Sequence, residues 1–238
     1  MAGSFTFKRF GIEQERSAMK VGTDGVLLGA WARLEPSHGR IIDVGCGTGL
    51  IALMAAQRTE EWGARVVGVE IEEGASQDAT ENASRSPWAA RVAIVNSPIQ
   101  SYEPTEGGFD HLLSNPPYFV DSLTSPNGAR TTARHTTSLS FDDLATTAAR
   151  LLAPEGIMSL VLPTDAVADM TLAAARKGLF LARRTDVATK SGARPIRSLV
   201  EYGRHPQPTL RTELTIHLPG GDFSPEYRAL TKDFYLKF

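Results

Sequence analysis

The sequence predicts a doubly wound α/β fold, in which a mostly parallel sheet carries helices on both faces. Two observations support this prediction. Short runs of β-branched and apolar residues alternate with helical stretches of about 10–15 residues, which is the pattern of βαβ units with a buried parallel sheet. The chain has 238 residues, 42% of them hydrophobic and 22% charged, which is an ordinary globular composition with enough length for a sizeable core.

The elements are expected in a regular order along the chain. The expected strands are short apolar runs, at 40–44, 65–69, 92–95, 109–113, 157–162, 180–187, 198–202 and 210–218. The expected helices have apolar residues at helical spacing, at 26–31, 50–58, 72–84, 142–152 and 165–177. The proline-rich turn at 205–208 predicts an antiparallel hairpin near the C-terminus. A last helix, with proline in its first turn, begins at Ser224.

Charge is distributed unevenly along the chain although the formal net charge is only −2. Residues 41–110 hold eleven acidic and four basic side chains, whereas residues 176–211 hold nine basic and two acidic ones. The basic segment is either a solvated face or a surface that contacts a phosphate backbone. The single cysteine, Cys46, excludes an internal disulfide, and no stretch approaches the ~20 apolar residues of a membrane span. We expect a cytoplasmic protein with no metal and no membrane partner.

A glycine-rich loop, Asp43-Val-Gly-Cys-Gly-Thr-Gly-Leu50, follows the first sheet strand and opens a helix. Gly45, Gly47 and Gly49 permit a tight turn and let backbone N–H groups approach a ligand closely. Doubly wound folds bind ligands at this end of their strands. The G-x-G-x-G spacing after an acidic residue is that of the S-adenosylmethionine loop in class I methyltransferases, and Asp43 can orient the cationic amine of that ligand. A nucleotide cofactor and a purely structural turn are the alternatives.

Glu70 ends the second strand of this unit and strengthens the cofactor interpretation. A carboxylate there can accept both ribose hydroxyls of an adenosyl group in a bidentate arrangement. A lone glutamate after a strand is more often a surface charge, but its spacing from the glycine loop favours ribose binding.

The sequence Asn115-Pro-Pro-Tyr118 follows the strand at 109–113 and is the most specific motif in the chain. Its two prolines make the loop rigid. The side-chain carbonyl of Asn115 and the main-chain carbonyl of Pro116 can accept the hydrogens of an exocyclic amine, whose lone pair then points at a sulfonium methyl group. Tyr118 offers a face on which an unpaired base can stack. We therefore predict that Asn115, Pro116, Pro117 and Tyr118 form the catalytic loop.

With these residues in view, the chain resembles the bacterial tRNA1(Val) (adenine(37)-N6)-methyltransferase family, whose members are class I enzymes that depend on S-adenosylmethionine. The similarity spans nearly the whole chain and includes both loops and the segments 19–32, 57–59, 86–88, 162–163, 184–187 and 227–238. It implies class I methyltransferase architecture with a Rossmann-like sheet, S-adenosyl-L-methionine as the cofactor, and methylation of the adenosine beside the anticodon of one tRNA. It also implies an N-terminal extension and cofactor lid at residues 1–35 and a methyltransferase domain at residues 36–238, together one domain overall.

The resemblance further implies which residues hold the cofactor and receive the base. The cofactor-binding candidates are Lys20, Thr23, Asp24, Asp43, Gly45, Cys46, Gly47, Thr48, Gly49, Leu50, Glu70, Ile71, Ser97, Pro98, Ile99 and Asn115. The Asn-Pro-Pro-Tyr loop would receive the base. Ser97 stands where many such enzymes carry an acid that faces the adenine amino group, so this chain departs from the family in adenine recognition. Asn96 could do part of that work.

Several functions stay open at this point. An RNA adenine-N6 methyltransferase would use the basic segment to contact the RNA backbone, through Arg183, Arg184, Lys190, Arg194 and Arg197. A protein glutamine N5-methyltransferase would use the same loop for a side-chain amide, but such an enzyme would need a separate helical module to hold its partner. A DNA adenine methyltransferase would need a large target-recognition domain, and a non-catalytic module would leave the Asn-Pro-Pro-Tyr loop without a purpose. We expect tRNA as the partner and no obligate protein partner.

Overall fold

The computed structural model describes residues 3–117 and 139–237. These residues form an eight-stranded sheet flanked by helices and a two-stranded sheet near the N-terminus. The strands are β1 (Ser4–Thr6), β2 (Gly11–Glu13), β3 (Arg40–Val44), β4 (Arg65–Glu70), β5 (Val92–Asn96), β6 (Phe109–Ser114), β7 (Leu152–Pro163), β8 (Phe180–Lys190), β9 (Arg197–Gly203) and β10 (Leu210–His217). The α-helices are α1 (Thr23–Trp31), α2 (Leu50–Arg58), α3 (Glu73–Arg85), α4 (Phe141–Leu151), α5 (Val167–Arg176) and α6 (Pro225–Thr231).

The large sheet has the strand order β10-β8-β9-β7-β6-β3-β4-β5. All neighbouring strands pair in parallel except β9, which is antiparallel to both β7 and β8. From β3 the chain moves outward through β4 to β5, and from β6 it moves the other way to β7. The order therefore reverses between β3 and β6, and a doubly wound sheet binds its ligands in the crevice at the carboxyl ends of such strands. The predicted α/β class with a mostly parallel sheet is confirmed.

An antiparallel pair is present near the C-terminus, but the proline-rich turn does not form it. The turn at 205–208 connects β9 to β10, and these two strands are not neighbours. Instead, β8 and β9 form the hairpin, and β10 pairs in parallel with the outer side of β8. The prediction of a hairpin across 205–208 is therefore wrong. The reason is that β9 inserts between β7 and β8, so both of its edges are already paired and β10 must use another edge.

Alternate residues of the central strands point into two separate cores. Ile41 of β3 and Leu113 of β6 belong to the core beneath α1, α2 and α6, whereas their neighbours Ile42 and Leu112 belong to the core beneath α4 and α5. This alternation is the two-residue period of a strand, and it explains why these strands are apolar on both faces. The N-terminal extension joins the first core, where Phe7 is 1% exposed.

Three chemical properties of the described residues bear on function. No helix among them is long and apolar enough to cross a membrane. Within residues 3–117 and 139–237, no group of three or more His, Cys, Asp and Glu side chains could hold a metal ion. The single cysteine, Cys46, is buried and forms no disulfide.

Candidate active site

The glycine loop connects β3 to α2 and adopts backbone angles that favour glycine. Gly45, Gly47 and Gly49 have φ angles of +67°, +53° and +79°, a left-handed region that other residues rarely adopt. The N–H of Gly45 donates to Val69 O (2.9 Å), so the loop is held against the end of β4. A Cβ on Gly45 or Gly47 would meet no described atom within 4 Å beyond its chain neighbours, whereas one on Gly49 would meet Ala79 of α3 at 3.3 Å. The loop thus leaves open space above its first two glycines, as a ligand cradle requires.

Glu70 lies at the carboxyl end of β4 and holds two turns in place. Its Oε2 accepts from the N–H of Gly47 (2.8 Å), and its Oε1 accepts from the N–H of Glu72 just before α3 (2.9 Å). Each carboxylate oxygen can accept more than one hydrogen bond. The fold therefore brings Glu70 and the glycine loop together and leaves the carboxylate able to accept ligand hydroxyls. The ribose contact itself stays a prediction.

Asp43 is buried beneath the glycine loop rather than exposed on it. Its Oδ2 accepts from the N–H of Ala52 (3.0 Å), in the first turn of α2, where the N-cap residue Gly49 offers no side-chain acceptor. Burial, with a contribution from the charge of Glu70, raises the pKa of the Asp43 carboxyl to about 7. Its Oδ1 has no hydrogen-bond partner in the described part of the chain. Asp43 thus fixes the start of the helix that carries the loop, and its Oδ1 can accept from a cationic group that reaches it.

The remaining loop residues are buried and serve packing. Cys46 packs over Gly68 of β4, where a Cβ would lie only 2.8 Å from the cysteine Sγ. Burial raises the pKa of the Cys46 thiol, so the thiol stays protonated at neutral pH and is a poor nucleophile. Thr48 accepts through its main-chain carbonyl from Asn82 Nδ2 (3.0 Å), and Leu50 packs against α1.

The residues after β5 form another side of the site. Asn96 donates through Nδ2 to the main-chain carbonyls of Glu70 (2.8 Å) and Ile71 (3.1 Å), so its side chain joins β5 to β4. The N–H of Ser97 donates to Glu70 O (3.0 Å), and its hydroxyl donates to the carbonyl of the following, exposed proline (3.1 Å). Ile71 is 45% exposed, whereas Ile99 is buried in the core. Ser97 and Ile71 therefore lie beside Glu70, whereas the side chain of Ile99 belongs to the core.

The Asn-Pro-Pro segment begins where β6 ends, beside the glycine loop. Ser114 donates its hydroxyl to the last carbonyl of β3 (2.7 Å), which joins the ends of the two strands. Asn115 is half-buried, Pro116 is buried and Pro117 is exposed. Tyr118 lies outside the described residues, so its stacking role stays a prediction.

The N-terminal segment (residues 13–24) is anchored by two buried side chains of α3. Asp78 Oδ2 accepts from the backbone N–H groups of Arg16 and Ser17 (2.9 Å each) and from the Ser17 hydroxyl (2.8 Å). Asn82 accepts from the N–H of Glu13 and donates to its carbonyl (2.8 Å each). The sequence interpretation missed both anchors. Their signal was a pair of polar residues four positions apart on a helix face that is otherwise rich in alanine.

The predicted lid residues lie further along the same segment. Lys20 donates through Nζ to the main-chain carbonyl of Gln14. Asn115 Nδ2 donates to Met19 Sδ (3.9 Å), so the segment reaches the predicted catalytic loop. Thr23 is exposed in the first turn of α1. The fold therefore brings the predicted lid, the glycine loop and the Asn-Pro-Pro segment to one edge of the sheet.

Two of the predicted RNA-binding residues are engaged within the fold. The Arg183 guanidinium stacks over Trp31, 3.6 Å from the ring centroid, and its Nη2 lies 3.1 Å from Glu201 Oε2. Arg184 pairs through Nε with Asp186 Oδ1 (2.7 Å). As successive residues of a strand, the two arginines point to opposite faces of the sheet. The structure therefore does not bring Arg183 and Arg184 together on one surface.

The other three predicted RNA-binding residues lie near the active edge. Lys190 ends β8 and Arg197 begins β9; because β8 runs in the same direction as β3, this is the edge that carries the glycine loop. Lys190 is exposed, and Arg194 is 79% exposed although it pairs with Asp165 (2.8 Å). Arg197 donates through Nε to Asp24 Oδ2 in the first turn of α1 (2.8 Å). These three cations therefore lie on the same side of the molecule as the predicted catalytic loop.

Comparison with known proteins gives the class to which this fold and site belong. The sequence profile of a family described as "Methyltransferase small domain" matches residues 25–179. A predicted O-methyltransferase from Agrobacterium tumefaciens shares the fold with a TM-score of 0.66, at 22% identity, over 89% of this chain and 96% of its own. A protein described as a class I S-adenosylmethionine-dependent methyltransferase, from Listeria monocytogenes, has a TM-score of 0.56 at 16% identity, over 80% of this chain and 62% of its own. The matching family model defines the chain as a methyltransferase, its fold is that of the class I enzymes, and S-adenosylmethionine is the cofactor.

Bacterial relatives are similar over almost their entire length. The identity is 46% over 232 residues in Phocaeicola vulgatus, 43% over 232 residues in Bacteroides thetaiotaomicron and 43% over 233 residues in Aeromonas hydrophila. Each alignment covers 98% of this chain and 97% of the relative. All three relatives are named tRNA1(Val) (adenine(37)-N6)-methyltransferase, and the chain belongs to this family.

Proposed function

We propose that the chain transfers the methyl group of S-adenosylmethionine to N6 of an adenosine in tRNA, at the position beside the anticodon of tRNA1(Val). The observation that carries the proposal is the position of Asn115 and Pro116 next to the glycine loop and Glu70 at one sheet edge. Relatives with 43–46% identity over nearly the whole chain carry this activity in their names. Lys190 and Arg194 lie exposed at the same edge and can contact the RNA backbone. A tRNA substrate also favours the cytoplasm as the place of action.

The residues at this edge fit the cofactor. The open space above Gly45 and Gly47 admits a ligand close to the backbone N–H groups of the loop. The Glu70 carboxylate can accept the ribose hydroxyls, and Asp43 Oδ1, which has no partner among the described residues, can accept from the cationic amine. When bound, S-adenosylmethionine supplies an electrophilic methyl group on a sulfonium.

The Asn-Pro-Pro loop orients the target amine rather than removing its proton. An adenine N6 amine is a poor nucleophile because its lone pair is delocalised into the ring. The side-chain carbonyl of Asn115 and the main-chain carbonyl of Pro116 each accept one amine hydrogen, which favours a pyramidal nitrogen with its lone pair directed at the methyl group. Pro116 and Pro117 restrict the backbone and hold these acceptors in place. Little proton abstraction is then needed before transfer.

The N-terminal extension completes this proposal. Residues 1–35 form the extension, residues 20–24 serve as part of the cofactor lid, and residues 36–238 form the methyltransferase domain. The contact between Met19 and Asn115 supports this assignment because it joins the extension to the loop that receives the base. Closure of such a segment would exclude water from the reacting groups.

The experiment that tests the proposal is transfer of labelled methyl from S-adenosylmethionine to bulk tRNA and, in parallel, to bulk protein. Label in N6-methyladenosine after nucleoside analysis is the expected result, and label only in protein would instead support a glutamine N5-methyltransferase. Asn115→Ala should abolish transfer while the cofactor dissociation constant changes by less than about tenfold, because the amide acts on the substrate amine. Gln100→Ala, which removes an exposed amide near the end of β5, is the matched control and should keep its turnover. Unchanged turnover in Asn115→Ala would contradict the mechanism.

A further inference from the structure

A cavity of about 460 Å³ lies beside the first turn of α1, at the same sheet edge as the glycine loop. Thr23, Asp24 and Leu27 of α1 form one wall, whereas Gly25 of the same helix faces Leu50 at the start of α2. The carboxyl ends of β8 and β10, the start of β9 and the C-terminal segment form the other walls. The first turn of α1 therefore separates this cavity from the proposed cofactor site.

The wall built by the C-terminal segment is aromatic. Phe223 lies between His217 and Tyr227, with ring centroids 4.7 Å and 5.2 Å away and interplanar angles of 27° and 25°. Tyr227 donates its hydroxyl to the hydroxyl of Tyr235 (3.4 Å). All four rings line the cavity. Both faces of Phe223 are therefore covered, and Tyr227 is 2% exposed, whereas His217 is half-buried at the end of the stack. A planar ligand such as a nucleobase can extend the stack at His217, because every base has a face that stacks on an aromatic ring.

The rim of the cavity is cationic. Lys237 lines the cavity and is exposed, and Lys190 lies directly beside His217 through the pairing of β8 with β10. Neither lysine forms a salt bridge within the part of the chain that the structure describes. Asp24 is the acid of the lining, and its charge is balanced by Arg197 at 2.8 Å. A ligand that combines a planar ring with a negative charge therefore matches this cavity.

We propose that the cavity binds a nucleotide of single-stranded RNA that flanks the methylated adenosine, with its base on the aromatic wall and its phosphate near Lys190 and Lys237. This inference rests on the proposed function, because an RNA substrate places a second nucleotide within reach of the same sheet edge. The volume lies within the range of about 300–1,000 Å³ for small-ligand pockets, so it suffices for one nucleotide rather than for a folded partner. The cavity thus gives a role to the aromatic residues around Phe223 and to Lys237, which the methyl transfer itself does not use.

Two variants and two controls test the cavity in the full-length protein. His217→Leu removes the aromatic ring at the half-buried end of the stack, and Lys237→Gln removes a rim charge. Tyr102→Leu and Arg176→Gln are the matched controls, since Tyr102 lies near the amino end of β6 and Arg176 near the amino end of β8, both at the opposite edge. The readouts are thermal unfolding, the cofactor dissociation constant, and the affinity for an unmodified tRNA1(Val) transcript measured by fluorescence anisotropy.

Each cavity variant should weaken transcript binding about fivefold or more, while the controls and the cofactor affinity stay unchanged. Parental transcript affinity in both cavity variants would overturn the inference, provided that the parent protein methylates the transcript. If the parent binds cofactor and methylates no RNA, the proposed function itself fails. The affinity for adenosine monophosphate is measured separately. If the cavity variants weaken binding of adenosine monophosphate but leave transcript binding unchanged, the cavity is a mononucleotide site and the RNA assignment is overturned.

Discussion

Asp78 anchors the N-terminal segment, and its replacement by asparagine should release that segment without unfolding the protein. The carboxylate is 1% exposed and accepts four hydrogen bonds, from Arg16 N, Ser17 N and Ser17 Oγ at Oδ2 and from Arg16 Nη1 at Oδ1, all at 2.8–2.9 Å. In Asp78→Asn the amide oxygen keeps the place of one carboxylate oxygen but loses its charge. The amide NH₂ then faces the arginine, which is itself a donor.

The expected cost follows from these contacts. Hydrogen bonds to a charged acceptor contribute about 1.5–3 kcal/mol each and neutral ones about 0.5–1.5 kcal/mol, so weakening three bonds costs about 3 kcal/mol. The ion pair to Arg16 adds little, because this arginine side chain is 44% exposed. Phe7 and Ile12 keep the preceding hairpin in the core, so the loss should be local to the N-terminal segment. A cost of about 3 kcal/mol corresponds to roughly hundredfold faster opening of this segment.

Hydrogen exchange measures this opening directly. The amides of residues 16 and 17 should exchange roughly a hundredfold faster in Asp78→Asn, and cofactor affinity should fall, because the proposed lid follows in the chain. Glu81→Gln is the control, since Glu81 contacts the same arginine from the same helix but is 39% exposed, and it should change exchange by less than about fivefold. Equal exchange in the two variants would refute the reasoning that burial makes Asp78 the anchor.

The remaining predictions concern the cofactor, the RNA and pH. Glu70→Gln should raise the cofactor dissociation constant at least about tenfold, about 1.4 kcal/mol, because a neutral amide accepts ribose hydroxyls more weakly, and calorimetry that shows no loss would contradict the ribose role. Charge reversal at Lys190 and Arg194 together should weaken tRNA binding and flatten its salt dependence, and an unchanged slope would point to another surface. Burial lowers the pKa of His111 well below its ordinary value of about 6.5, so the folded state keeps this side chain neutral while the unfolded chain takes up a proton. As the pH is lowered below about 6.5, the free energy of unfolding should therefore decrease more steeply in the parent than in His111→Gln. Urea titrations of both proteins at several pH values measure this difference. Asp43 is present in both proteins, and its raised pKa acts in the opposite sense.

The local sequence was enough to predict those parts of the site that consist of a single turn or loop. Gly45 and Gly47 take positive φ angles, and the prolines after Asn115 restrict their own loop, so these features follow from the residues themselves. The anchors Asp78 and Asn82 could not be found in this way. Their partners lie 61–69 positions away along the chain, and no local pattern states which distant backbone group a buried polar side chain will meet.

The same distinction applies to the fold. Short, continuous apolar runs predict the buried sheet strands, because each residue type reports its own burial. The strands β1 and β2 have only three residues each, which is too short for a periodic signal, and they were not predicted. The position of β10 depends on which sheet edge is vacant after β9 has inserted, and a turn sequence holds no information about that competition.

The basic segment 176–211 shows most clearly why a linear count of charges is not a surface potential. Its excess of seven positive charges includes Arg183, whose guanidinium is stacked and paired inside the fold, and Arg184, which is paired with an aspartate. Fewer cations face the active edge than this count indicates. Lys190 and Lys237 are exposed beside the cavity at the first turn of α1, and Arg194 lies nearby. Two or three phosphate contacts to single-stranded RNA predict a slope of log affinity against log salt of about −1.4 to −2.1, since each contact contributes about −0.7. A slope near −6 would mean that most of the nine basic residues touch RNA, and that would require the ion pairs of Arg183 and Arg184 to open on binding.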